Sequence, residues 1–358
     1  MSARTALARP TRRGDTTPLS GPELWWDGLH HEDLPTVPQG HRITGVLLGP
    51  APLDRTADHR LHHLTRHGVR DAVHALVLDR LRLGSRLLHE VRRNSGGRLG
   101  HLAVEVDPRC AHTPGQMLAA VRTLHRDVAT DQLVPVLPAT DAGLRAMRDA
   151  LAEGLNAGIG PLHTTDRAQQ ALRFCLEGLE QAVDAGHTPP AALVSVGVGA
   201  VECAVDALLD RAGGEEAKAL RGSVARALAQ VIHEQALDTF DSPRWQALRD
   251  RGAPLPRLLW CEATAPGVPV AGARPPLAAP GTAVALRSAF ALTKDLPSVR
   301  WSGAHYGDAH RTLSHLAWFS VPLRTISAAL DARWAVTAAT RWDRLAAQVT
   351  AVLDKGQR

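Results

Sequence analysis

Lysine is nearly missing from this chain: of its 41 Lys and Arg residues, only Lys218, Lys294 and Lys355 are lysine. With abundant Ala, Gly, Pro and His, that deficit has the look of a high-GC bacterial genome, so the net charge of +5 argues little for a nucleic-acid partner. The arginines are scattered among Asp and Glu, as on solvated helix faces, and aromatics make up only 4% of the chain. No basic stripe interleaved with aromatics is present to bind nucleic acid. Cys110, Cys175, Cys203 and Cys261 are far apart and form no C-x-x-C pair, which excludes a zinc knuckle or a disulfide framework. No segment approaches the roughly 18 apolar residues of a membrane span, and the N-terminus lacks the apolar run of a secretory signal. A cytoplasmic protein without membrane or nucleic-acid partners is expected.

What is present is one barrel's worth of chain, 358 residues. Residues 1–20, with Arg4, Arg9, Arg12 and Arg13 among Thr, Pro, Ser and Gly, read as a disordered basic tail. Residues 21–358 read as a single domain. From about residue 22, short apolar runs alternate with long amphipathic ones, the pattern of β/α units around a parallel sheet. Strands are predicted at 24–26, 43–48, 102–106, 134–137, 155–159, 194–198, 258–261 and 282–286. Apolar spacing of three and four predicts helices at 114–128, 142–152, 165–185, 203–212 and 215–238, with closing helices at 323–332 and 335–353. Pro, Gly and Ala crowd 263–281, a loop that could act as a lid. Eight strands in this alternation suit an α/β, (β/α)8 barrel with extra C-terminal helices.

Val104–Glu105–Val106–Asp107–Pro108–Arg109, Leu137–Pro138–Ala139–Thr140–Asp141–Ala142–Gly143–Leu144 and Leu151–Ala152–Glu153–Gly154–Leu155 resemble successive strand ends and helix starts of the transaldolase family. Trp25–Trp26–Asp27–Gly28–Leu29 upstream, and Glu177–Gly178–Leu179–Glu180–Gln181–Ala182, Arg257–Leu258–Leu259–Trp260 and Ala339–Thr340–Arg341–Trp342 downstream, fit the same order. The resemblance covers roughly residues 22–353 and implies a transaldolase-type (β/α)8 barrel with its site at the C-terminal ends of the strands.

The resemblance also implies what is missing. Transaldolases attack the sugar ketone with a lysine on the strand before the Pro-Ala-Thr segment, and that position falls at Val136. Without the amine no iminium forms to accept the electrons released on carbon–carbon cleavage. The family's strand-two asparagine falls at Gly49, its strand-five asparagine and threonine at Gly158 and Gly160, and its phosphate-binding serine and arginine at Gly199 and Ala204. Loss of these groups removes sugar orientation and charge complementarity together. None of the three lysines is predicted on a strand facing the mouth.

Asp27 and Glu105 match the family's acid/base aspartate and its partner glutamate. In a mouth otherwise apolar and widened by truncation, burial without a cation raises a carboxylate pKa, so either group could donate a proton near neutral pH. Three readings follow. The leading one is a repurposed lyase, cyclase or isomerase acting on a less polar, non-phosphorylated small molecule of specialised metabolism. The rival is a pseudoenzyme that binds a ligand or partner protein without turnover, and the third an orthodox transaldolase. No cofactor is implied.

Gly197–Val198–Gly199 could belong to a dinucleotide fingerprint or present N–H groups to an anion, but the third glycine position is Glu202, which favours a plain strand-to-helix turn. His59, His62, His63 and His67 have helical spacing that could hold a metal, yet Arg60 and Arg66 sit among them, so a solvated face is the better reading and no metal is expected. His163, Glu202 and Cys203 follow altered strand ends and could bring new chemistry to the mouth. Trp25, Trp26 and Trp260 read as core or barrel wall, with a smaller chance that one lines a pocket.

Overall fold

The computed structural model describes residues 23–28, 43–50, 53, 68–110, 113–261, 279, 281–286 and 300–356. The basic tail, the four-histidine cluster, Lys294 and nearly all of the 263–281 loop lie outside them. Eight parallel strands close in sequence order: β1 (Glu23–Gly28), β2 (Ile43–Leu48), β3 (His101–Glu105), β4 (Leu133–Leu137), β5 (Ala157–Leu162), β6 (Ala192–Val196), β7 (Arg257–Cys261) and β8 (Thr282–Leu286). Helices α1 (Val69–Asn94), α2 (Pro114–Val128), α3 (Asp141–Ala152), α4 (Thr165–Asp184), α5 (Val198–Ala212), α6 (Glu215–Ala219), α7 (Val224–Phe240), α8 (Pro243–Asp250) and α9 (Gly303–His315) surround the barrel, and α10 (Leu323–Gly356) follows.

Period-two alternation divides the apolar residues between two cores. Trp25, Leu47, Ala103, Val134, Val136, Leu193, Leu259, Ala283 and Ala285 fill the inside of the barrel. Trp26, Val104, Leu137, Ile159, Val194 and Trp260 belong to the outer layer under the helices. All three strand tryptophans are therefore buried structure. Trp25 needs a small neighbour, and Gly45 supplies it: a Cβ there would stand 2.3 Å from the indole.

Threonine sets several helix starts. Thr113, Thr140 and Thr164 each accept a hydrogen bond from the backbone N–H three residues on, a cap worth about 1 kcal/mol. Gly143 lets the first turn of α3 approach β4, where a Cβ would meet the Pro138 carbonyl oxygen at 1.9 Å.

Three sequence expectations are corrected. The run 194–198 was expected to be strand throughout with a helix only from 203, but β6 ends at Val196 and α5 already starts at Val198. Val198, Val201 and Val205 belong to the buried helix face, so a β-branched run spans the end of one element and the start of the next. The expected helix 215–238 divides into α6 and α7, with Gly222 at φ 71 between them. The two closing helices are one, α10, of 34 residues and so about 51 Å long.

Candidate functional site

The alternation that turns Trp25 and Val134 inward also turns Asp27, Glu105 and Val136 inward, two residues further toward the C-terminal ends of their strands. Asp27 lies in register with Leu47, Glu105 with Val136, and Val136 with Gly158. These expected site residues therefore share the upper part of the barrel. Val136 is 4% exposed, packed within the inner apolar cluster.

Glu105 departs from the expectation of a carboxylate without a cation. Arg341, on α10, donates from Nη2 to Glu105 Oε2 at 2.8 Å, with the two side chains 22% and 16% exposed. A guanidinium at that distance favours the charged carboxylate, so a neutral proton donor at Glu105 is not what this arrangement supplies. The mouth is also less apolar than the truncations suggested.

Gly158 and Gly160 do not leave the expected extra width. A Cβ on Gly158 would stand 2.9 Å from Leu193 Cβ and 3.4 Å from Val136 Cγ2. On Gly160 it would meet the Ser195 carbonyl oxygen at 2.6 Å. Atoms of β4 and β6 stand within 3.4 Å of the place where a Cβ on Gly158 or Gly160 would be. Gly199 is buried in the first turn of α5 and Ala204 lies further along that helix, half-buried. Gly49 follows β2 and shares a small hollow with Trp342 and Val104.

His163 and Glu202 are engaged in the fold. The buried His163 ring places Nδ1 2.6 Å from Asp331 Oδ1 of α10, and Ser327 Oγ donates to its carbonyl oxygen. Glu202 accepts the N–H groups of Val224 and Ala225 on its two carboxylate oxygens, capping α7. This explains its burial without assigning it a ligand. Cys203 is half-buried on α5.

The feature that sequence reasoning missed is the path of α10 along the strand ends. Besides Arg341 and Asp331, Arg324 pairs with Asp166 at the start of α4, Asp343 with Arg109 after β3, and Gln348 accepts from the Leu53 N–H after β2. Arg109 also pairs with Asp107, whose hydrogen bond first, then charge, raises the guanidinium pKa above its ordinary value. Among the described residues, the buried Arg341 Nε and Trp342 Nε1 have no hydrogen-bond partner. The advance signals were the closing helices predicted at 323–332 and 335–353 and the likeness of residues 339–342 to a closing helix; the partners lie 158 to 295 residues away.

The opposite, N-terminal end of the barrel is plugged by polar groups. Glu23 pairs with Arg257 at 2.8 Å, and the buried His101 lies between Arg257 and Arg92, 3.0 and 3.2 Å from its two ring nitrogens. Burial, then the Arg257 and Arg92 charges, hold the His101 pKa well below the ordinary range. Among the described residues no three His, Cys, Asp or Glu side chains gather to hold a metal, and no helix is long and apolar enough to cross a membrane. Lys218 is on α6, paired with Glu215 at 3.0 Å, and the side chain of Lys355 is outside the described residues.

A family model for transaldolase/fructose-6-phosphate aldolase matches residues 50–245. The transaldolase of Frankia alni is 29% identical, with 91% of this chain and 93% of that one covered. The transaldolase of Acidothermus cellulolyticus is 28% identical over 95% and 96%. The transaldolase of Mycolicibacterium smegmatis is 30% identical over 67% and 69%.

Proposed function

This chain belongs to the transaldolase/fructose-6-phosphate aldolase family, and we propose that it has left that family's Schiff-base chemistry. The observation that carries this reading is Val136: at the position where the resemblance puts the lysine, an aliphatic side chain faces inward, 4% exposed, within the inner apolar cluster that also holds Val134 and Leu193. It can neither attack a ketone nor take up the electrons of a breaking carbon–carbon bond. Closure around Gly158 and Gly160 supports the same conclusion, because the space for sugar-orienting side chains is filled.

The chemistry that remains is proton transfer. Asp27 is half-buried and inward, and serves as acid/base group in a lyase, cyclase or isomerase-type step on a less polar, non-phosphorylated small molecule. Glu105, tied to Arg341, serves as a fixed anion that positions the substrate. The second reading, a barrel that binds without turnover, is favoured by the same ion pair, since it occupies one of the two carboxylates. Asp27→Asn and Glu105→Gln separate them. When a ligand is found by screening non-phosphorylated metabolites, the enzymatic reading expects Asp27→Asn to lose turnover by roughly 100-fold or more while ligand affinity is kept. A ligand bound equally well by wild type and both variants, with no turnover by any of them, establishes the binding protein instead.

A further inference from the structure

At the N-terminal end of the barrel, opposite the mouth, a pocket of about 720 Å³ lies between the last turn of α1, the turn that follows it and the starts of β3 and β7. Its charged walls are Arg92, Arg93, Arg98 and Arg257 against Glu23 and Asp131. Positive charge stays in excess even when Glu90, the exposed partner of Arg93, is counted with the acids. A recess lined by a surplus of one sign focuses the field on its contents, and here that favours an anion.

The buried His101, 3% exposed, lines the same pocket and carries a donor that the fold does not match. Its ring stacks on Trp25, and among the described residues its hydrogen-bond neighbours are Arg257 Nη1, 3.0 Å from Nδ1, and Arg92 Nη1, 3.2 Å from Nε2. A guanidinium only donates, and a neutral imidazole accepts at one ring nitrogen while the other holds its proton. One of the two contacts therefore sets N–H against N–H, whichever tautomer is present. Arg92 Nη1 has the Leu99 carbonyl oxygen as an acceptor, whereas Arg257 Nη1, among the described residues, has the imidazole alone. That assigns the lone pair to Nδ1 and the proton to Nε2, facing Arg92. Arg92 is also the guanidinium with room to give, since its partner Asp131 is 71% exposed and the Glu23 that holds Arg257 is 5% exposed.

We infer that this pocket binds a small organic oxyanion, through a phosphate or carboxylate group, with one oxygen seated between His101 Nε2–H and the Arg92 guanidinium. That oxygen accepts from both donors, so binding replaces the mismatched contact by two charge-assisted hydrogen bonds, and Arg93 and Arg98 add their charge. The volume is that of a site for a small organic molecule rather than for a bare ion. The inference goes beyond the reading of the barrel mouth and does not depend on it, because Asp27, Glu105 and Val136 stand toward the other ends of their strands.

Inorganic phosphate and succinate serve as probes, titrated separately into the full chain at pH about 8, where phosphate is a dianion, with chloride holding the ionic strength constant. Binding is followed by calorimetry and by NMR of the histidine ring nitrogens, the His101 signal being assigned by its loss in His101→Asn. At least one probe is expected to bind saturably and to move the His101 Nε2 signal with the same midpoint. The stronger response, to phosphate or to succinate, tells a phosphorylated ligand from a dicarboxylate. Arg92→Gln should weaken that probe by about tenfold or more, the range of a hydrogen bond to a charged group, while Arg244→Gln, on the outside of α8, should leave it unchanged. Should Arg92→Gln fail to fold, the His101 signal of the wild type still decides, and an anion held at the barrel mouth would leave that signal unmoved. No saturable binding of either probe, binding without a shift at His101, or unchanged affinity in a folded Arg92→Gln would overturn the assignment.

Discussion

Arg341 and Glu105 join the C-terminal helix to the barrel interior, and a double-mutant cycle measures how firmly. At 2.8 Å and an effective dielectric constant of about 20, Coulomb attraction is roughly 6 kcal/mol, much of it offset by desolvation of both groups. Side-chain exposures of 22% and 16% leave little room for screening. A net coupling of about 1–3 kcal/mol is expected. Arg341→Met takes the cation from a half-buried carboxylate and should be the more damaging single change; Glu105→Gln leaves the guanidinium a neutral acceptor. For 358 residues, an unfolding entropy near 2.1 cal/mol/K per residue converts 2 kcal/mol into a Tm shift of roughly 3 °C. Thermal melts followed by circular dichroism on wild type, both single variants and the double variant give the coupling directly. Single-variant losses that simply add, with coupling below about 0.5 kcal/mol, would refute the claim that this pair secures α10 over the strand ends.

Other consequences are as direct. Gly158→Ala places a Cβ 2.9 Å from Leu193 Cβ and should destabilise by about 1–3 kcal/mol through overpacking, read as a lowered Tm; a neutral result would mean the wall has not closed. Val136→Lys buries an amine in the apolar inner cluster and should lower Tm without restoring transaldolase turnover in a coupled assay, because Gly49, Gly158, Gly160, Gly199 and Ala204 supply no sugar or phosphate contacts. His101 has a folded-state pKa well below its unfolded value, so the unfolded chain takes up a proton that the folded one refuses. Stability should be fully present above pH about 6.5 and fall below it by on the order of 1 kcal/mol per pH unit, and urea titrations should find a shallower slope in His101→Asn.

The barrel was legible because its strands are short apolar runs set between long amphipathic helices, and β2 and β8 have the bounds the pattern predicts. Asp27, Glu105 and Val136 were singled out through the family resemblance, and period two explains why all three face the axis once their strands are placed. What escaped depends on distance along the chain. Arg341 reaches Glu105 across 236 residues and His163 reaches Asp331 across 168, and no local periodicity encodes either. The volume left by a glycine escaped as well: Gly158 read as an opening, but a Cβ there would stand 2.9 Å from Leu193 Cβ on the next strand. Helix boundaries slipped where side-chain character runs through a junction, as at Val196–Gly197–Val198, and where a backbone break such as Gly222 interrupts a continuous apolar pattern.

The departure from Schiff-base chemistry is tested most directly by intact mass. The purified protein is incubated with fructose 6-phosphate and borohydride, beside a coupled transaldolase assay. With Val136 buried at the lysine position, the account predicts an unchanged mass and no turnover. A reduced covalent adduct together with turnover would contradict it and send the search to another amine at the barrel mouth.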